Sequence, residues 1–216
     1  MKIIILGDGL LGSEINKQAN WDIFSRKNGG LDIFNLNYEK LLKYDIIVNC
    51  IANTNTYSDD KINHWNINYK FVYDLISFCN ENDKKIVHIS TDYVYSGSID
   101  NASEEDVPVH NRTWYGYTKL LSDGLVQLIS NNYLLIRCTH KINPFPYDKS
   151  WIDQIGNFDY VDIISSKIIN LINKELCGVY NVGTELKTMH DLASKTKLTL
   201  PVISPLEVPK NTSMNI

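Results

Sequence analysis

The chain has 216 residues, 44% of them hydrophobic and 21% charged, with a net charge of −4; this suits one domain or a domain with a small appendage and excludes disordered or collagen-like chains. The cations are 18 Lys against 3 Arg, and with no basic excess and few bidentate arginines no nucleic-acid partner is expected. No apolar run is long enough to cross a bilayer, so no membrane partner is expected, and cysteines at 50, 79, 138 and 177 without a C-x-x-C pair read as reduced thiols of a cytoplasmic protein with no metal site.

Residues 2–6 are a short apolar run, the pattern of a strand buried on both faces of a parallel sheet. Glycines at 7, 9 and 12 lead into a helix over 10–19. Strands are expected near 21–25 and 31–34, a short helix over 38–43, and a buried strand over 44–50. Apolar residues at 67, 71, 72, 75, 76 and 78–79 predict an amphipathic helix within 59–82. A strand over 85–90, a polar loop of about twenty residues, a helix over 115–130 and a strand over 133–138 follow. Beyond 139 the regularity breaks. A helix over 161–173, a strand over 178–182, a helix over 188–196 and a frayed tail from 205 are expected. The alternation argues an α/β fold, a Rossmann-type doubly wound parallel sheet with right-handed crossovers.

Gly7-Asp8-Gly9-Leu10-Leu11-Gly12 is a G-x-G-x-x-G stretch between strand and helix. Gly7 permits the tight turn, Gly9 lets a pyrophosphate approach the backbone, and Gly12 lets the helix pack on the strand. The free N–H groups of the helix N-terminus then face the anion. A carboxylate closing the second strand would hold the ribose 2′-hydroxyl of NAD. Ser25-Arg26-Lys27 stands there instead, and Arg26 could hold a 2′-phosphate. NADPH is therefore the expected cofactor, with NADH as the alternative. Asp32 is expected near the adenine.

Tyr115 and Lys119 form Y-x-x-x-K, and on a helix they share a face. A nearby ammonium lowers a phenol's pKa, so Tyr115 is expected to exchange a proton with a carbonyl oxygen. Tyr57 and Lys61 have the same spacing, but only Tyr115 follows a strand-end Ser90-Thr91-Asp92, 24 residues after Thr91. His88 reads as a hydrogen-bonded core histidine, and His64 and His190 as surface residues. His110 and Asn111, just before Tyr115, are candidate substrate contacts. Glu104-Glu105-Asp106 reads as a solvated acidic face.

Taken together, the glycine loop, Ser90-Thr91-Asp92-Tyr93-Val94-Tyr95 and Tyr115-Gly116-Tyr117-Thr118-Lys119 resemble the extended short-chain dehydrogenase/reductases, in particular the dTDP-4-dehydrorhamnose reductase family. The resemblance covers 1–138 and returns at 158–163 and 178–183. It implies an NAD(P)-binding domain over 1–138 and an abbreviated substrate-binding part over 139–216, interleaved with it. It further implies Thr91 on the substrate carbonyl, Tyr115 as proton donor and Lys119 on the nicotinamide ribose. Gly7, Gly9, Leu10, Leu11, Gly12, Ile51, Ala52, Asn68 and Ser90 would serve the cofactor, and Tyr93, Val94 and His140 the sugar. The implied reaction is reduction of a 4-keto-6-deoxy nucleotide sugar by a homodimer. Tyr93 follows Asp92 where dehydratases carry a Glu and GDP-fucose synthase a Cys, which argues for simple reduction. The chain departs from the family in a glycine loop one residue shorter, in Arg137-Cys138-Thr139-His140 where the pattern is R-T-x-W, and in a shortened 140–158 segment. Two other readings stand beside this one, a non-catalytic nucleotide-binding module and a nucleotide-sugar 4-epimerase.

Overall fold

Ile3, Ile4, Ile5 and Leu6 are all buried, because the strand they form lies between two helical layers. In the computed structural model, which describes residues 1–95, 102–105 and 113–216, that strand is β1 (Ile3–Leu6). It is followed by α1 (Leu10–Ala19), β2 (Asp22–Phe24) and β3 (Ile46–Asn49). A long helical run comprises α2 (Lys61–His64), a π-helical stretch (Trp65–Lys70) and α3 (Phe71–Glu81). Next come β4 (Lys85–Ser90), α4 (Trp114–Ile129), β5 (Tyr133–Arg137), β6 (His140–Lys141), β7 (Lys149–Trp151), β8 (Ile155–Gly156) and β9 (Asp159–Tyr160). The chain ends with α5 (Val161–Asn173), β10 (Gly178–Asn181), β11 (Lys187–Thr188), α6 (Met189–Ser194), β12 (Leu200–Val202) and β13 (Asn211–Thr212).

Six strands form one sheet in the order β10-β5-β4-β3-β1-β2, every pair parallel. Its two faces are sorted by the period-two alternation of the strands. Ile4, Leu6, Ile47, Ile86 and Leu135 pack with Phe71, Leu75 and Ile76 of α3 and Val126 of α4. Ile3, Ile5, Val48, Val87, Leu134 and Ile136 pack with Leu11 and Ile15 of α1 and Ile164, Ile168 and Ile172 of α5. This is the doubly wound Rossmann-like architecture, and α5 and β10, from beyond residue 138, complete it. The remaining strands build three small sheets, β11-β8-β13, β12-β7 and β6-β9.

Four expectations are corrected. Residues 31–34 are turn, not strand: Gly29 and Gly30 have positive φ, and Asp32 Oδ1 accepts from Phe34 N at 3.0 Å, a local turn that competes with strand pairing. Leu31 is buried in the core and Ile33 packs against it. His64 is fully buried rather than exposed, and His190 is half-buried with Nδ1 2.7 Å from Ser150 Oγ. The tail is not frayed: β13 pairs with β8, and buried Met214 donates its N–H to Asn157 Oδ1 at 2.7 Å. The sequence periodicity also missed the π-helical interruption at Trp65–Lys70.

Candidate active site

The loop after β1 turns on Gly7, whose φ is +99°. A Cβ on Gly12 would lie 2.1 Å from Gly7 O, so only glycine lets α1 start there. A Cβ on Gly9 would meet nothing within 4 Å, so the backbone at the N-cap of α1 borders open space into which an anion can approach. That space belongs to a cavity of about 880 Å³ lined by Gly7, Gly9, Arg26, Lys27, Asp32, Ile51 and Ala52, among others. The cradle fits a dinucleotide pyrophosphate; Asp22 at the start of β2 is engaged by the Tyr44 hydroxyl at 2.6 Å, and Arg26 and Lys27 line the cavity just after β2 together with the carboxylates of Asp8 and Asp32.

A second cavity of about 370 Å³ shares Gly9, Cys50 and Ala52 with the first and is lined by Leu10, Leu11, Ser90, Thr91, Tyr93, Tyr115, Lys119 and His140. Thr113 caps α4 by accepting from Gly116 N at 3.1 Å, which sets Tyr115 in the first turn and Lys119 one turn later. The Tyr115 phenol is hydrogen-bonded to Thr91. Thr91 Oγ1 also accepts from Tyr93 N at 3.3 Å, and the Tyr93 and Tyr115 rings meet edge to face with centroids 6.1 Å apart.

The electrostatics correct one expectation. Burial pushes the Tyr115 phenol up to about 12, eased by the Thr91 hydrogen bond; Lys119 does not pull it down. Lys119 Nζ instead donates to Ile89 O at 2.7 Å and lies 3.3 Å from His88 Nε2. Burial brings Lys119 down to about 8, with Asp123 opposing. Tyr115 is thus protonated across the ordinary pH range, the state of a donor. His140 lines the cavity as a neutral imidazole, lowered to about 4 by burial and then by Lys141.

Two expected contacts fall elsewhere. The Val94 side chain is fully buried against Tyr95, Ala102 and Met214, so it does not face a sugar. Asn68 is fully buried and lines neither cavity; it clamps the loop after β3, accepting from Asn53 N at 2.7 Å and donating to Asn53 O at 3.1 Å and Thr118 Oγ1 at 3.2 Å. Its place in the π-helical stretch accords with the functional use of such bulges. Ser90 lines the second cavity as expected, with its hydroxyl donating to Asp123 Oδ2 at 2.9 Å. Asn111 lies outside the described residues, as does His110. Tyr57 and Lys61 do not form a second pair, since Lys61 Nζ sits 4.9 Å over the Trp114 ring and the Tyr57 phenol hydrogen-bonds Tyr93.

Sequence reasoning missed a buried support beneath the site. Arg137 pairs with Asp123 (2.8 Å) at full burial, and its Nη1 donates to the Tyr95 hydroxyl. Asp92, also fully buried, accepts from Thr139 and Thr91. The i+4 step from Lys119 to Asp123 was the available signal. Lys141, half-buried and lining the second cavity beside His140, was missed too. Among the described residues, no group of three or more His, Cys, Asp or Glu could hold a metal, and no helix is long and apolar enough to cross a membrane.

A glycine-loop cradle at the C-terminal edge of a doubly wound sheet, adjoining a Thr–Tyr–Lys cavity, defines an extended short-chain dehydrogenase/reductase architecture. Residues 1–140 match the family model described as the RmlD substrate binding domain, and the chain belongs to that family. The spore coat polysaccharide biosynthesis protein SpsK of Bacillus subtilis is 33% identical over 76 residues, which are 35% of this chain and 23% of that protein. Among solved structures, the dTDP-4-dehydrorhamnose reductase of Bacillus anthracis in complex with NADP is 25% identical, with a TM-score of 0.82 over 100% of this chain and 90% of that one. The corresponding reductase of Clostridium acetobutylicum is 22% identical, with a TM-score of 0.83 over 99% and 90%. The UDP-glucuronic acid 4-epimerase of Bacillus cereus, in complex with NAD, shares the fold at 19% identity and a TM-score of 0.75 over 94% and 86%.

Proposed function

We propose that the protein is an NAD(P)H-dependent reductase of a 4-keto-6-deoxy nucleotide sugar. The observation that carries this reading is the gathering of Thr91, Tyr115 and Lys119 in one cavity that shares Gly9 and Ala52 with the glycine-loop cradle. Arg26 and Lys27 in that cradle favour NADPH over NADH. Bound NAD(P)H supplies the hydride that converts the keto carbon to a carbinol carbon. Tyr115 gives its phenolic proton to the carbonyl oxygen, and its burial keeps that proton in place until charge develops there. Thr91 orients the phenol and hydrogen-bonds the same oxygen. Lys119 holds the nicotinamide ribose, and Tyr93 and His140 border the sugar. The dTDP-4-dehydrorhamnose reductases among the structural neighbours support the substrate class.

The test is NADPH oxidation with a dTDP-4-keto-6-deoxy sugar, expected for the native protein and lost in Tyr115→Phe. Turnover undiminished by that substitution contradicts the mechanism. The second reading, a 4-epimerase, is favoured by the fold shared with the B. cereus enzyme and by Lys141, a cation suited to an acidic sugar. It requires NAD retained through purification and no net NADPH consumption.

A further inference from the structure

Behind Lys119 lies a buried polar chain that the proposed reaction does not use. Asn49 closes β3 at almost full burial, and its Oδ1 accepts the N–H of Ile51 at 3.1 Å. That contact fixes which end of the amide faces His88, and Nδ2 lies 3.2 Å from His88 Nδ1. An amide nitrogen only donates, so Nδ1 is the acceptor, and a neutral imidazole then carries its proton on Nε2. His88 is neutral because burial, and then Lys119, hold it well below the usual histidine range. Its Nε2 lies 3.3 Å from Lys119 Nζ and 3.4 Å from Ser122 Oγ. If Lys119 is an ammonium, two donors face each other across the first of these contacts.

We propose that Asn49 and His88 are positioning residues that bias Lys119 toward its free amine: Asn49 locks His88 as the Nε2–H tautomer, which offers Nζ a donor where an ammonium needs an acceptor. The inference rests on the proposed role of Lys119 at the nicotinamide ribose. As an amine, Nζ donates one N–H to Ile89 O, accepts from His88 Nε2–H and keeps one N–H for the cleft. On gaining a proton, Nζ loses the lone pair that accepted from His88. The His88 N–H then has Ser122 Oγ, whose own proton goes to Lys119 O at 3.0 Å. Only the N–H bond on Nζ forms or breaks between the two states. The other groups facing Lys119 are Asp123 one turn along α4, already paired with Arg137 of β5, which favours the ammonium, and the thiols of Cys50 and Cys138 at the ends of β3 and β5, which burial keeps protonated and uncharged. His88 acts with burial against Asp123, over a short and directional contact. A lysine so poised can return a proton to the cleft between turnovers, which a fixed cation cannot.

The experiment is long-range 1H–15N NMR of the full chain labelled with 15N-histidine, with no cofactor or substrate added and the His88 signal identified by its loss in His88→Phe. The expected result at neutral pH is the Nε2–H tautomer; an Nδ1–H tautomer or an imidazolium overturns the proposal. A second measurement follows the Lys119 titration by lysine NMR in the same variant. Losing a donor is expected to raise the Lys119 pKa by about half a unit, threefold in proton affinity, whereas an unchanged or lowered value overturns the proposal. If His88→Phe does not fold, the His88 signal is identified in Asn49→Ser by its change of tautomer, and the native tautomer decides. Both readouts are independent of turnover, so a failed reductase assay and a failed tautomer assignment are separate results.

Discussion

The six-stranded sheet, with α5 and β10, and the small sheets built from the rest of the chain after residue 139 are held together by different means. In the sheet, two continuous apolar layers fix the backbone, and what the cleft offers a cofactor is largely backbone: a positive-φ turn at Gly7, the free N–H groups of α1 and the open space beside Gly9. The C-terminal part has a small apolar cluster around Phe158, Tyr160 and Met189 and strands of two or three residues. Polar links tie it together: Lys187 to Asp159 (3.3 Å), Lys210 to Asp153 (2.7 Å) and Ser150 to Thr199 (2.6 Å). Backbone shape constrains sequence through a few glycines, whereas side-chain links can be exchanged one at a time. Side-chain links of that kind can change while a backbone cradle persists.

Substitutions can break this contrast in order of severity. Tyr115→Phe leaves the cradle intact and removes only the proton donor; we expect a loss of about 10²–10⁴ in kcat with NADPH affinity unchanged, measured by turnover and by calorimetry. Asp123→Asn leaves the buried Arg137 guanidinium unpaired under the site, and a loss of about 3–5 kcal/mol is expected, read from denaturant melts. Gly12→Ala drives a methyl group onto Gly7 O; the expected result is about 1–3 kcal/mol of lost stability together with weakened NADPH binding. Arg26→Ala should raise the KM for NADPH roughly tenfold, the worth of a charge-assisted hydrogen bond, and leave NADH unaffected.

The smallest effect concerns pH. Asp148, Asp153, Asp159, Glu185 and Asp191 all have lowered pKa values from hydrogen bonds and neighbouring lysines, Glu185 to about 2. Their contribution is complete above the usual carboxylate range and is lost as pH falls through these depressed values. Hydrogen exchange at acid pH is therefore expected to open the small sheets over 140–160 and 187–212 before the six-stranded sheet with its α5 and β10. A sheet that opens first would remove the contrast.

The fold of the first half was legible because apolar runs and glycines at 7, 9 and 12 impose it locally. The segment 31–34 misled because Leu31 is a core residue on a turn, and hydrophobicity alone does not separate the two. Thr91, Tyr115 and Lys119 were legible as a constellation, but their protonation was not: Tyr115 resists deprotonation because of burial, a property of the packed molecule rather than of i and i+4 spacing. Asn68 and Val94 were assigned by motif to the cleft, yet one clamps a loop and the other fills the core, since a motif gives position along an element and not the direction of a side chain. The tail and His64 were misread for the converse reason. The tail is held by long-range partners such as Asn157, which no local pattern announces, and His64 is packed beside Asn68, one turn along the same helical run.

The central claim is that Thr91, Tyr115 and Lys119 surround a keto carbon receiving hydride from bound NAD(P)H. It is tested most directly by NMR of the sugar product formed with nicotinamide-deuterated NADPH. The account predicts stoichiometric deuterium at C4 of a reduced sugar in the native protein, with the product formed about 10²–10⁴ times more slowly in Tyr115→Phe. A product with no deuterium at C4, or an epimerised sugar with the nicotinamide label retained, would contradict it.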